Sequence, residues 1–183
     1  MKLIQLHSNN VYQGRAFSVD RLLLQLPDGH QKEYDLILHR PSVSLVPIDQ
    51  AGLVYFVRQY RVGPAQELLE LPAGVLEENE DPAEGARREM REEIGMAAGN
   101  LVKIGEFFLA PGYSSELMHV YLATELYPAP LPPDDDEFLQ LETLPLTRAY
   151  ELAVNGEIRD SKTIAALLLA RRFVEHDRSQ AFS

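Results

Sequence analysis

The chain has 183 residues, 45% of them apolar, a formal charge of -11 and no cysteine. That length suits one domain with a small appendage and a real core, while the negative charge argues against a nucleic-acid groove, which needs rows of Lys and Arg. The lack of cysteine excludes disulfides, thiolate nucleophiles and thiolate metal sites, and is compatible with a cytoplasmic location.

Met1-Lys2-Leu3-Ile4-Gln5-Leu6 lacks the long apolar run of a signal peptide before the polar His7-Ser8-Asn9-Asn10. Residues 1–42 read as a strand-rich segment, with strands over Phe17–Leu26 and Glu33–His39 around the turn signal Pro27-Asp28-Gly29. From residue 43 to 183 a larger mixed domain is expected. Val43–Ile48 and Leu53–Arg58 read as a hairpin about Asp49-Gln50-Ala51-Gly52, with Pro47 weakening the first run or marking an edge.

A helix with readable ends comes next. Asp81 is placed to cap it, Pro82 fits the first position, Glu84 completes a capping box and Gly95 stops it. Ala83, Ala86, Met90 and Ile94 form its inward stripe. Strands follow at Val102–Leu109 and Leu117–Ala123, then a loop over Pro128–Asp136, a strand over Phe138–Leu144 and helices over Thr147–Val154 and Asp160–Glu175. The longest clean apolar run, Ile164–Ala170, is far below the roughly 20 residues of a membrane span.

Glu89, Glu92 and Glu93 crowd about one turn of the first helix. Like charges at this spacing repel, so a cation is expected over that face. Magnesium takes hard oxygen ligands and accepts one or two carboxylates beside water or phosphate, so Glu89 and Glu93 could hold one or more ions from one face. A solvated acidic face is the ordinary reading of such a trio. Here, however, it coincides with Gly74, Glu80, Arg88 and Gly95 at fixed spacing.

The pattern Gly74-x5-Glu80-x7-Arg88-Glu89-Met90-x-Glu92-Glu93-x-Gly95-Met96 resembles the signature of Nudix hydrolases, with methionine at 90 and 96 where the family usually has Ile, Leu or Val. The resemblance implies an α/β Nudix fold: a mixed β-sheet sandwich flanked by helices, with a small N-terminal antiparallel β subdomain. It implies a diphosphate-cleaving metal platform, with Mg2+, or Mn2+ in its place, on Glu89, Glu93 and Glu92. Arg88 and Glu80 would brace the preceding loop to the helix, and Gly74 would supply a loop conformation open only to glycine.

Glu70-Leu71-Pro72-Ala73-Gly74 and Ala110-Pro111-Gly112-Tyr113-Ser114-Ser115-Glu116 are similar to the flanking segments of the ADP-ribose pyrophosphatase branch. By that resemblance the Ala73 carbonyl is a further metal ligand. Glu116 is the first candidate to orient or deprotonate the attacking water, with Glu92 the runner-up. Arg61 is favoured as a substrate contact. Arg58 stands open between substrate and a surface salt bridge, and Tyr113 between stacking on adenine and packing against its loop. The five histidines show no ligand spacing, and Asp134-Asp135-Asp136-Glu137 reads as a solvated loop rather than a metal site.

The implied reaction converts ADP-ribose to AMP and ribose 5-phosphate, with GDP-mannose or another nucleoside diphosphate sugar as the alternative substrate. Hydrolysis of coenzyme A or dinucleoside polyphosphates is less favoured, given the Pro111 loop. A non-catalytic ADP-ribose sensor is the alternative from another class, against which stand the intact signature and the absence of a helix-turn-helix pattern. The branch also implies a homodimer that exchanges the N-terminal subdomain, and no nucleic-acid or membrane partner.

Overall fold

The computed structural model describes residues 2–132 and 138–180, the side chains of 175–180 excepted. The Asp134–Glu137 reading therefore lies outside the described residues. By its internal contacts the chain divides into one unit of Met1–Pro41 with Phe107–Leu117 and a second of Ser42–Glu106 with Met118–Ser183.

The first unit is built on an antiparallel sheet of β1 (Ile4–Gln13), β2 (Ser18–Gln25) and β3 (Gln31–Leu38), in that order. The turn after β2 closes as its residues require. Gly29 takes φ +90°, and the Leu26 N–H donates to the His30 carbonyl at 2.8 Å. The loop over 110–116 is pinned to β3, with the Ile37 N–H on the Tyr113 carbonyl at 2.8 Å and the Ser115 N–H on the Ile37 carbonyl at 3.0 Å.

The second unit holds two sheets, β10-β5-β6 and β7-β4-β9-β8. Their strands are β4 (Ser42–Pro47), β5 (Leu53–Arg61), β6 (Gln66–Glu70), β7 (Ala73–Val75), β8 (Met96–Phe108), β9 (Leu117–Pro128) and β10 (Gln140–Pro145). The hairpin expected of β4 and β5 is replaced by something else. One bridge, Ile48 to Val54, joins them at the turn, and they then enter different sheets. β4 pairs antiparallel with β7 and parallel with β9, while β5 pairs with β6 and β10. Every residue of β4 is buried, and a strand covered on both faces loses the alternation that would betray its partners. Pro47 is its last residue, where a missing N–H costs least.

Helix α1 (Pro82–Glu93) packs on β4 and β7, α3 (Ser161–Gln180) on β4, and α2 (Leu146–Val154) on α3, β5 and β10. Val43, Leu45, Leu76, Ala86 and Met90 meet in the core between α1 and its sheet. This mixed-sheet α/β arrangement is the fold the sequence implies. No helix among the described residues is long and apolar enough to cross a membrane.

Candidate active site

The ends of α1 are set by local chemistry. Asp81 accepts from the N–H groups of Ala83 at 2.9 Å and Glu84 at 3.3 Å, Pro82 opens the helix, and Gly95 at φ +69° ends it. Glu84 turns to Arg87 at 3.5 Å, so the capping box is carried by Asp81.

Along the buried face of α1 lie Glu89 and Glu93, both less than a tenth exposed, beside Ala86 and Met90. Burying carboxylates is expensive without partners, and the main chain of β7 and Arg88 are among those that supply them. Glu93 accepts from the Ala73 N–H at 2.9 Å. Arg88 donates through Nε and Nη2 to both oxygens of Glu80 at 3.0 Å, and through Nη1 to Glu89 at 2.7 Å and Glu92 at 2.9 Å. Glu80 in turn accepts from the Glu77 N–H at 2.8 Å. The brace between loop and helix is therefore present, and Arg88 is its hub. These bonds raise the affinity of the Arg88 guanidinium for its proton, Glu80 contributing most.

Gly74 is a correction. Its backbone is not in the left-handed region; it is the middle residue of β7. A Cβ there would collide with the Glu89 carboxylate, so any other residue would have to push that side chain or β7 aside. Gly85, which the sequence reading passed over, does similar work: its Cβ would collide with Leu76, so its absence lets the 76–80 loop lie on α1. A lone glycine inside a helical pattern was the available signal.

Ala73, Glu89, Glu92 and Glu93 thus come together about β7 and α1. Carboxylate oxygens beside a short stretch of main chain are hard-oxygen donors of the kind that suit a divalent cation such as magnesium. Among the described residues no three acidic or histidine side chains form a ready cage by themselves. Arg88 is shared by Glu80, Glu89 and Glu92, so one guanidinium holds three carboxylates at this face.

Arg61 lies nearby in charge terms, its protonated form favoured first by Glu70 and also by Glu93. Nε and Nη2 donate to the two oxygens of Glu70 at 2.8 and 2.7 Å, leaving the Nη1 edge of a side chain that is 39% exposed. Arg58 donates through Nε to Glu142 at 2.6 Å, a pair across β5 and β10.

Glu116 and Tyr113 belong to the first unit. Glu116 sits 3.7 Å from His39 Nδ1, its N–H donating to Ser114 Oγ at 3.2 Å. The Tyr113 ring is 59% exposed. Among the histidines, His30 pairs with Asp28, His39 with the Arg40 carbonyl as well as Glu116, and His119 of β9 with Glu106 of β8.

The sequence reading also missed a buried charge network behind β7. Glu70, 1% exposed, is held by Arg61 and by Lys162, which also donates to Asp160 at 3.0 Å. The signal was Asp160-Ser161-Lys162-Thr163 at a helix start.

Comparison with known proteins gives the family and the fold. The family model described as the NUDIX domain matches residues 38–173. An ADP-ribose pyrophosphatase of Bacillus subtilis (strain 168) is 31% identical over 159 residues, covering 86% of each chain. The ADP compounds hydrolase NudE of Escherichia coli (strain K12) is 29% identical over 172 residues, covering 93% of this chain and 92% of its own. A crystal structure of an ADP compounds hydrolase superposes with a TM-score of 0.88 at 28% identity, covering 97% of this chain and 96% of that one.

Proposed function

The chain belongs to the Nudix hydrolase family, and from that premise we propose that it hydrolyses the diphosphate of ADP-ribose, giving AMP and ribose 5-phosphate. The buried pair Glu89 and Glu93 beside Ala73 on β7 carries the diphosphate-cleaving part of this reading, and the likeness to an ADP-ribose pyrophosphatase supports the choice of substrate. With these residues a magnesium ion would neutralise charge on the diphosphate and activate water.

The protein's own groups do the rest. Arg88 fixes Glu89 and Glu92 in place, and Glu93 is aimed by the Ala73 N–H. Arg61, oriented by two bonds to Glu70, offers its remaining edge to phosphate oxygens. Glu116 is proposed to orient or deprotonate the water, Glu92 being the alternative, and Tyr113 and Arg58 to contact substrate. Water attacks one phosphorus, the bond from that phosphorus to the bridging oxygen breaks, and the oxygen leaves on the other phosphate.

The proposal extends to a homodimer. Leu3, Ile4, Leu6, Val11, Tyr12 and Leu38, in and beside β1 and β3 of the first unit, are exposed, and so small a sheet gains stability by covering apolar surface of this kind. A cytoplasmic location is proposed with it, in keeping with the cysteine-free sequence.

A substrate panel with Mg2+ or Mn2+, read as phosphomonoester product, tests the activity. ADP-ribose is expected to give the highest kcat/KM, ahead of GDP-mannose; no turnover of any diphosphate would overturn the reading. In the same assay Glu116→Gln should cost about 100-fold in kcat, in the range of general-base removal. A loss below tenfold would move water activation to Glu92, the next to be replaced.

A further inference from the structure

Four successive residues leading into the candidate metal site are each tied down. Glu70 is held by Arg61 and Lys162. The Leu71 N–H donates to Thr163 Oγ1 at 2.8 Å, the Leu45 N–H donates to the Pro72 carbonyl at 2.9 Å, and the Ala73 N–H donates to Glu93 at 2.9 Å.

Two of these ties come from the start of α3 and close into a ring. Thr163 Oγ1 accepts from Leu71 and donates its own proton to Asp160 Oδ2 at 2.6 Å. The same Asp160 oxygen accepts from the Thr163 N–H and from Lys162 Nζ, both at 3.0 Å. Lys162 Nζ then reaches Glu70, whose peptide neighbour is Leu71. Thr163 and Glu70 are 0% and 1% exposed and Lys162 is 8% exposed, so water does not compete for these groups.

A ring of this kind is more than a helix cap needs, because Asp160 alone satisfies the Thr163 N–H. Lys162 and the Thr163 hydroxyl spend their bonds on the chain that carries Ala73 and on the carboxylate that aims Arg61. We propose that Lys162 and Thr163 are positioning residues: they set the main chain of Glu70–Ala73, and through Glu70 the Arg61 guanidinium, at the geometry the metal and substrate require. This rests on the metal-dependent reading above. Groups that orient metal ligands typically change metal affinity or activity by about 10- to 100-fold when removed.

The test uses the full-length protein and Mn2+ as the probe, with affinity measured by electron paramagnetic resonance of the free ion and with kcat and KM for ADP-ribose measured alongside. Thr163→Val keeps the side-chain shape and removes the hydroxyl; Lys162→Met keeps the stem and removes the charge. Thr163→Val is expected to weaken Mn2+ binding about tenfold and lower kcat, and Thr163→Ser to restore both. Lys162→Met is expected to raise KM about tenfold through the loosened Arg61.

Leu152→Ala, in the packed face of α2, is the control for lost stability alone and should leave Mn2+ affinity unchanged. Should Thr163→Val fail to fold, Lys162→Met decides. Wild-type Mn2+ affinity in Thr163→Val, or in Lys162→Met wild-type KM, would overturn the proposal. So would a Leu152→Ala loss as large as that of Thr163→Val. Absence of Mn2+ binding in the wild type would instead overturn the metal reading on which it stands.

Discussion

Gly74 shows how one atom can decide whether a site exists. The Glu89 carboxylate lies where a Cβ would be, so any side chain at 74 must push that carboxylate or β7 aside. Gly74→Ala is therefore expected to lower kcat by about 100-fold, since displacements near 1 Å at a reacting centre cost that much. Circular dichroism should show an unchanged fold, and activity within fivefold of wild type would refute the close-packing argument. The sequence marked the right residue for a different reason. A motif records that only glycine is allowed; whether backbone angle or a neighbouring side chain forbids the rest depends on what α1 brings against β7.

At the scale of elements, the sheet of β5 and β6 and the helix α3 are joined through Glu70. Burial pushes its carboxyl up, but the hydrogen bonds from Arg61 and the charge and hydrogen bond of Lys162 outweigh it, so it sits below the ordinary carboxylate range. A group held low in the folded state contributes stability above its unfolded value, about 4.3, and loses it as pH falls through the folded one. Glu70→Gln should cost about 3 kcal/mol at pH 7, because it strands buried positive charge. Urea midpoints should show the gap to wild type closing below about pH 4; a gap independent of pH would exclude the charge network as its cause. The ends of α1 were legible in Asp81, Pro82 and Gly95, since a cap is written within a few residues. The pairing of β4 was not, and neither were β6 and β7, two short strands whose partners are chosen by distant segments.

Across the whole molecule, the segment 107–117 joins the first 41 residues in one unit, although some 65 residues of chain separate them. No local pattern announces such a partnership; it exists through bonds such as that of Ile37 to Tyr113. The first unit also leaves β1 as a long edge strand bearing exposed apolar residues, the surface a second copy would cover. Light scattering after size exclusion should give a particle of twice 20.6 kDa, and a clean monomer would refute the dimer.

Glu89 and Glu93 are proposed to form a metal platform for diphosphate cleavage. The most direct measurement is the rate of AMP release from ADP-ribose at saturating Mg2+ for wild type, Glu89→Gln and Glu93→Gln, with folding checked by calorimetry. Each substitution removes a charge while keeping the shape, and each is expected to lower kcat by at least about 100-fold in a folded protein, the loss of several kcal/mol of transition-state stabilisation. Near-normal rates in both variants would contradict the account.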